Sequence, residues 1–391
     1  MGKVQSMSGM RKETGAPVAL QRCDRFVART MNWLYGHLLF VPRFHPLVLC
    51  DKLQNRNEFP EIEAWCLDPQ RLTRRVWRKL AGTRPFALDI WRIQRRKPQV
   101  LHSHFGYVAA EDFALQHSLG IPWLVGFYGA DVYQAGRLPE WRNIYGRLFQ
   151  RLSLALALGP VMGDKLEKLG CPRDKIKIHA LGVEVDSLPC RVRVLRTGEP
   201  LKVLFAGTFR EKKGIQYVLE GISLAHRRGV KIELHLVAGE MGKSGEEETK
   251  EAVFATIRHM DLGNLVTYSP LIPFKQLLEL GLNCHLFLAP SVTAADGDCE
   301  GTPFVLQQMM ATGMPAIATL HSDIPFIFGD LKYLLVSERD SKAIADSLVR
   351  YAENPRRLTE DGEAMRERIR SEFDVRLCAA RLAELYDSMR G

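Results

Sequence analysis

The 391-residue chain lacks the cysteine spacing of a metal-stapled or disulfide-stapled protein. Its eight cysteines, at 23, 50, 66, 171, 190, 284, 299 and 378, form no C-x-x-C pair, so neither a zinc knuckle nor a dense disulfide framework is indicated. Reduced thiols in a cytosolic protein are the simplest reading. Long apolar runs are also missing: the most apolar stretch, Leu152 to Met162, is too short to span a bilayer and is interrupted by Gly159-Pro160. Any membrane contact is therefore expected to be peripheral. No long apolar segment follows Lys3, Arg11 and Lys12 before Arg22, so no secretory signal is expected. The 31 glycines and 20 prolines are near background and show no period, which excludes collagen-like and low-complexity chains. No repeat at solenoid or propeller spacing is found.

What is present is apolar material for two cores, at 46% hydrophobic residues, and an uneven charge. The net charge is +9, but residues 1–200 carry 31 basic and 18 acidic side chains, whereas residues 201–391 carry 23 and 27. A basic half and a mildly acidic half point to two domains with different partners.

The second half shows its organisation most clearly. Leu201–Ala206 is a short apolar run ending at Gly207, followed by helical spacing at Ile215, Val218, Leu219 and Ile222. The unit recurs, with strands expected at Ile232–Ala238, Leu265–Tyr268, His285–Leu288, Ala316–Thr319 and Leu334–Val336. Helical stretches at Glu246–Met260, Phe274–Leu282 and Pro303–Thr312 lie between them, which predicts a doubly wound α/β domain. The first half repeats the style less cleanly, with strands expected at Val18–Leu20, Pro46–Leu49, Val100–His104, Trp123–Phe127, Leu154–Leu158 and Lys177–His179. Two Rossmann-like domains are expected, over residues 1–195 and 196–374, joined within Leu188–Pro200. A terminal helix over 375–391 is expected to pack back on the first domain. The ligand is expected in a cleft between the domains, at the carboxyl ends of the strands.

Two segments of the second half carry chemistry. In Asp296-Gly-Asp-Cys-Glu300-Gly-Thr-Pro, Thr302 suits an N-cap and Pro303 the first helical position, so a helix is expected to start beside the Glu300 carboxylate. The free N–H groups around Gly301, Thr302 and Phe304 would then receive phosphate oxygens, and Glu300 would accept sugar hydroxyls. An ordinary capped helix is the alternative reading. The second segment, Gly207-Thr-Phe-Arg210-Glu-Lys-Lys213-Gly214, follows a strand and holds three cations, Arg210, Lys212 and Lys213. Such a turn suits a diphosphate, although a solvated basic loop is also common. His102 and His104 could be read as a metal pair, but no third ligand stands at suggestive spacing, so no metal is expected.

With these motifs, "LAPSVTAADGDCEGTPFVLQQMMATGMPAIATLHSDIP" resembles the donor-binding domain of retaining glycosyltransferases of the GT-B fold, family four. "VLHSHFGYVAA", "GIPWLVGFYGADV" and "KLEKLGCPRDKIKIHALGVEVD" are similar to that family's acceptor domain. The resemblance implies transfer of a sugar from a UDP- or GDP-sugar with retention, without metal or other cofactor. By the family's Glu-x7-Glu pattern, Glu300 would contact the sugar, and Gln308, an amide in place of the second carboxylate, the ribose. Lys213 would grip the diphosphate; Thr208 stands where the family has an arginine, and Arg210 would replace it. Gly207 and Pro303 complete the donor loops, and Ile272, within Leu271–Pro273, would face the base. Tyr128 takes the place of a family histidine on the acceptor side, beside Asp131 and His104. Loss of transfer, leaving a sugar-nucleotide or lipid-binding subunit, and epimerisation of a nucleotide sugar are the competing readings.

The basic half holds a candidate amphipathic helix, with Leu72, Val76 and Leu80 one turn apart and Arg74, Arg75, Trp77, Arg78 and Lys79 around them. This predicts peripheral attachment to the anionic inner face of the plasma membrane, where a lipid-linked or glycan acceptor would be met. A solvated surface helix is the alternative. Nucleic acid is not expected as a partner, because no recognition motif accompanies the positive charge.

Overall fold

Two parallel sheets organise the chain in the computed structural model, which describes residues 15–28, 31–67, 76 and 87–390. The chain divides into two units, one of residues 1–158, 162–182 and 375–391, the other of residues 159–161 and 183–374. The crossing falls at Gly182–Val183, ahead of the expected boundary at 195. The Leu188–Pro200 stretch is strapped to the second unit: Arg191 N–H donates to Thr312 O (3.0 Å), and the Arg193 guanidinium donates to Thr312 Oγ1 (3.1 Å) and Gly281 O (3.3 Å).

The first sheet contains β1 (Val18–Phe26), β2 (His45–Leu53), β3 (Glu63–Cys66), β4 (Pro98–His104), β5 (Trp123–Gly126), β6 (Leu154–Ala157) and β7 (Ile176–Ile178), in the order β3-β2-β1-β4-β5-β6-β7. All pairs are parallel. β1 runs six residues past its expected end at Leu20, because its charges are paired instead of solvated. The buried Arg22 guanidinium meets Asp51 at 2.9 Å and Asp112 at 3.2 Å, so an ion in the middle of the strand does not end it. The apolar runs do not predict β3, whose residues are all half-buried and whose Glu63 is held by Arg96 (2.9 Å) and His45 (3.0 Å). The helix Val375–Ser388 belongs to this unit. Its Ala379, Leu382 and Tyr386 pack with Ala19, Phe44, Val100 and Leu124, and the Tyr386 hydroxyl bonds His102 Nδ1 at 2.7 Å.

The second sheet contains β8 (Leu201–Thr208), β9 (Ile232–Gly239), β10 (Val266–Ser269), β11 (Leu286–Ala289), β12 (Ala316–Thr319) and β13 (Leu335–Val336), in the order β10-β9-β8-β11-β12-β13, again all parallel. The central strands β8, β11 and β12 read as nearly continuous apolar runs because both of their faces are covered, whereas the edge strand β10 leaves Thr267 and Tyr268 exposed. The helix Ile215–Arg227 buries Ile215, Val218, Leu219 and Ile222 against Val203, Phe205 and Leu234. In each sheet the strand order reverses beside the first strand, at β1/β4 and at β8/β11. These are the switch points where α/β sheets leave a crevice at the strands' carboxyl ends.

Candidate active site

At the switch point of the second sheet, the loops that follow β8 and β11 are locked to each other. Gly214 closes the first loop at φ +65°, and a Cβ there would stand 2.0 Å from Pro290 O, so only glycine allows the approach. Val292 N–H donates to Lys212 O (2.9 Å), and Ala295 N–H donates to Glu211 Oε2 (2.9 Å). These bonds set the cations of one loop against the carboxylates of the other.

Arg210 Nη2 lies 2.7 Å from Asp298 Oδ2, and Lys212 Nζ lies 3.1 Å from the same oxygen. Lys212 also reaches Glu300 Oε1 at 3.3 Å, and Lys213 reaches it at 3.1 Å. Burial alone would push the Glu300 carboxyl up, but Lys212 and Lys213 outweigh it and hold the group at about 2. Lys212 is the reciprocal case: burial opposes its charge, and Glu300 and Asp298 more than restore it, so its pKa is raised. The sequence reading sets Arg210, Lys212 and Lys213 at the diphosphate and singles out Arg210 and Lys213 as catalytic. In the structure it is Lys212 that bridges both carboxylates, and Asp298, two residues before Glu300 in the same acidic run, is added to the site.

Behind Glu300 stands a second pair. Glu300 N–H donates to His321 Nε2 (3.0 Å), which leaves the proton on Nδ1, 2.6 Å from Glu338 Oε1. Glu338 also accepts Thr293 N–H at 2.8 Å. His321 and Glu338 thus fix the main chain of Glu300 to the end of the sheet. No apolar spacing marks either of them: His321 follows β12 and Glu338 follows β13.

The helix after Glu300 spans Phe304–Ala311, one residue shorter at its start than expected. Pro303 is the N-cap residue and its carbonyl accepts the first bond, from Leu306 N–H at 3.1 Å. Thr302 therefore does not cap the helix: one position too early, its hydroxyl is buried without a hydrogen-bond partner. The N–H groups of Phe304 and Val305 have no acceptor within the helix, as at any helix start. Gly301, Thr302 and Pro303 are buried beside Glu300, and Gln308 is buried on the second turn. Gly207 and Thr208 end β8, both half-buried. Ile272 lies in the loop after β10, and its neighbour Leu271 packs over Gly239, the register partner of Thr208 at the end of β8.

Tyr128, Asp131 and His104 belong to the first unit, at the ends of β4 and β5. Asp131 accepts N–H bonds from Gly106 (3.0 Å), Tyr128 (3.0 Å) and Gly129 (2.9 Å), which ties the two strand-end loops together. The Tyr128 hydroxyl meets His104 Nδ1 at 2.7 Å, while His104 Nε2 meets Gln21 Oε1 at 3.0 Å. Burial holds His104 down at about 3, so the ring is neutral near pH 7. Among the described residues, no three His, Cys, Asp or Glu side chains stand where they could hold a metal ion. No helix among them is long and apolar enough to cross a membrane. Arg74, Arg75, Trp77, Arg78 and Lys79 lie outside the described residues.

The fold and this charged cluster find counterparts in known proteins. A family model for glycosyl transferases group 1 matches residues 191–372, which include every residue of the cluster. The amylovoran biosynthesis glycosyltransferase AmsK of Erwinia amylovora is 30% identical over 313 residues, covering 79% of this chain and 72% of that protein. The chain belongs to the group 1 glycosyltransferases. The putative colanic acid biosynthesis glycosyltransferase WcaL of Escherichia coli is 29% identical over 265 residues, covering 67% of this chain and 63% of its own length. Among solved structures, Anabaena HepE in complex with UDP superimposes with a TM-score of 0.76 at 13% identity, over 95% of this chain and all of HepE. Sucrose-phosphate synthase from Thermosynechococcus elongatus does so with a TM-score of 0.74 at 16% identity, over 95% of this chain and 98% of its own. The glycosyltransferase is thus built on the GT-B architecture of two parallel-sheet α/β domains.

Proposed function

We propose that this glycosyltransferase moves a sugar from a UDP- or GDP-sugar, with retention, to a hydroxyl of a polysaccharide or lipid-linked acceptor. The observation that carries the reading is a buried carboxylate, Glu300, kept ionised by Lys212 and Lys213 one turn ahead of a helix start. In this reading the cations and the first-turn N–H groups stabilise the charge that develops on the departing diphosphate. Glu300 orients the sugar and faces the positive character that grows at its ring. Gln308 meets the ribose with a neutral hydrogen bond, roughly half as strong as a charged one. The protein's own cations supply the phosphate grip, so no metal is required. The HepE complexes with UDP and UDP-glucose favour a uridine donor, and the amylovoran and colanic acid relatives favour a polysaccharide product.

The acceptor is assigned to the first unit, near Tyr128 and His104, and delivery to the inner face of the plasma membrane. The helix Ala87–Arg95 supports that delivery, because Leu88 and Trp91 are exposed on one face and Arg95 stacks over Trp91 at 4.8 Å.

A panel of UDP- and GDP-sugars, incubated with the chain and extracted membranes, tests the reading. Donor-dependent transfer or slow donor hydrolysis is expected, unaffected by EDTA and nearly abolished by Glu300→Ala. Turnover that Glu300→Ala leaves untouched would remove Glu300 from the site. Conversion of the donor to an isomeric nucleotide sugar without acceptor would make the protein an epimerase. Binding to anionic vesicles is expected to fall as salt rises, and salt-insensitive binding would reject the membrane assignment.

A further inference from the structure

We infer that Asp298 competes with the donor's diphosphate for Arg210 and Lys212, and thereby limits how tightly the site holds that group; the inference rests on the donor reading above. The Asp298 side chain is 2% exposed, yet it carries no sugar-facing role, since Glu300 holds the position beside the helix start. Its Oδ2 takes Arg210 Nη2 at 2.7 Å and Lys212 Nζ at 3.1 Å, and its Oδ1 takes Lys212 Nζ at 3.3 Å. The carboxylate is placed by its own loop: Asp298 N–H donates to Asp296 Oδ1 (2.8 Å), and Ala294 N–H donates to Asp298 O (3.0 Å).

The charge count gives the consequence. Arg210, Lys212 and Lys213 face Asp298 and Glu300, leaving a single net positive charge for a diphosphate that carries two negative ones. Of the three cations, Arg210 is the most exposed, at 21% against 13% and 19%, and its planar fork suits phosphate as well as carboxylate. A diphosphate gripped by Arg210 shares that fork with Asp298. The released nucleoside diphosphate carries more negative charge than the donor's diphosphate, so a stronger cationic grip would hold the product at least as tightly as the donor and slow its release. Asp298 is therefore a positioning residue that keeps the product exchangeable.

The test uses inorganic pyrophosphate and UDP as probes, titrated calorimetrically into the full chain. Asp298→Asn keeps the shape and removes the charge, so both probes are expected to bind about tenfold tighter, with a steeper salt dependence. Asp298→Glu is expected to return the affinity to near the wild-type value, and Arg210→Gln in the Asn background to erase the gain. Unchanged or weaker binding by Asp298→Asn overturns the inference. If that variant does not fold, spectra of the 15N-arginine-labelled wild type decide: pyrophosphate must move the Arg210 signal, assigned through Arg210→Gln, and an unmoved signal overturns it. A wild type that binds neither probe removes the donor reading itself, whereas a binding wild type without the tightening removes only the role of Asp298.

Discussion

The two sheets share a winding pattern and a switch point, but a histidine cluster in the first unit and a carboxylate site in the second respond to burial in opposite ways. In the first unit His37, His102, His104 and His179 sit around a small internal cavity with Trp33, Tyr128 and Leu382, and burial holds all four pKa values down. His179 is pushed to about 4 by burial, with Arg381 adding to the effect. In the second unit Glu300 is as deeply enclosed, yet its carboxyl is held at about 2 because two lysines stand against it. Burial disfavours charge in both places. At these two places the difference lies in the counter-ion: Lys212 and Lys213 stand against Glu300, whereas burial dominates at the four histidines. The second unit's switch point is therefore suited to a charged leaving group, and the first unit's neutral rings are suited to packing and uncharged hydroxyls.

The largest expected effect lies in acid. The four histidines have folded pKa values below the unfolded value of about 6.5, so the unfolded chain binds more protons and stability rises with pH. Their contribution is complete above about pH 6.5 and is lost on acidification, by up to about 1.4 kcal/mol per histidine per pH unit. Urea midpoints measured from neutrality to about pH 5 check this. Glu300 has its window lower: its contribution is present above about 4.5 and is lost as pH falls towards about 2. A flat response between about pH 7 and pH 5 would break the contrast between the units.

Next comes the removal of the central cation. Lys212→Met leaves Asp298 and Glu300 buried with less compensation and is expected to cost about 3–5 kcal/mol in urea unfolding. A loss below about 1 kcal/mol would show that Lys213 and Arg210 suffice. The smallest effect sharpens the local reading of the helix start. Thr302→Val removes a buried hydroxyl that has no partner and caps nothing, so the melting temperature is expected to stay level or rise, by up to about 1 kcal/mol in stability. A clear destabilisation would restore the capping role.

Much of this was legible in the amino-acid sequence, and what was not has physical reasons. Continuous apolar strands before glycine turns reveal the second sheet, since its central strands are covered on both faces. β1 reads short because a salt bridge to Asp51 and Asp112 hides Arg22 inside the sheet, and no local pattern announces a partner 29 or 90 residues away. At the site, Glu300 and the cationic loop are visible as motifs. Which lysine bridges and which carboxylate answers Arg210 depend on loop geometry: Gly214 against Pro290 sets the spacing that puts Lys212 between Asp298 and Glu300. His321 is also invisible locally, because its role is to accept a main-chain N–H from 21 residues away.

The central claim is that a buried carboxylate beside the helix start is kept ionised by Lys212 and Lys213. The most direct measurement is the carboxyl 13C signal of Glu300 in a 13C-glutamate-labelled chain, assigned through Glu300→Gln and followed from about pH 8 to about pH 5.5. The signal is expected to hold the ionised value throughout. A protonation step within that range, which burial without its lysine partners would produce, would contradict the account.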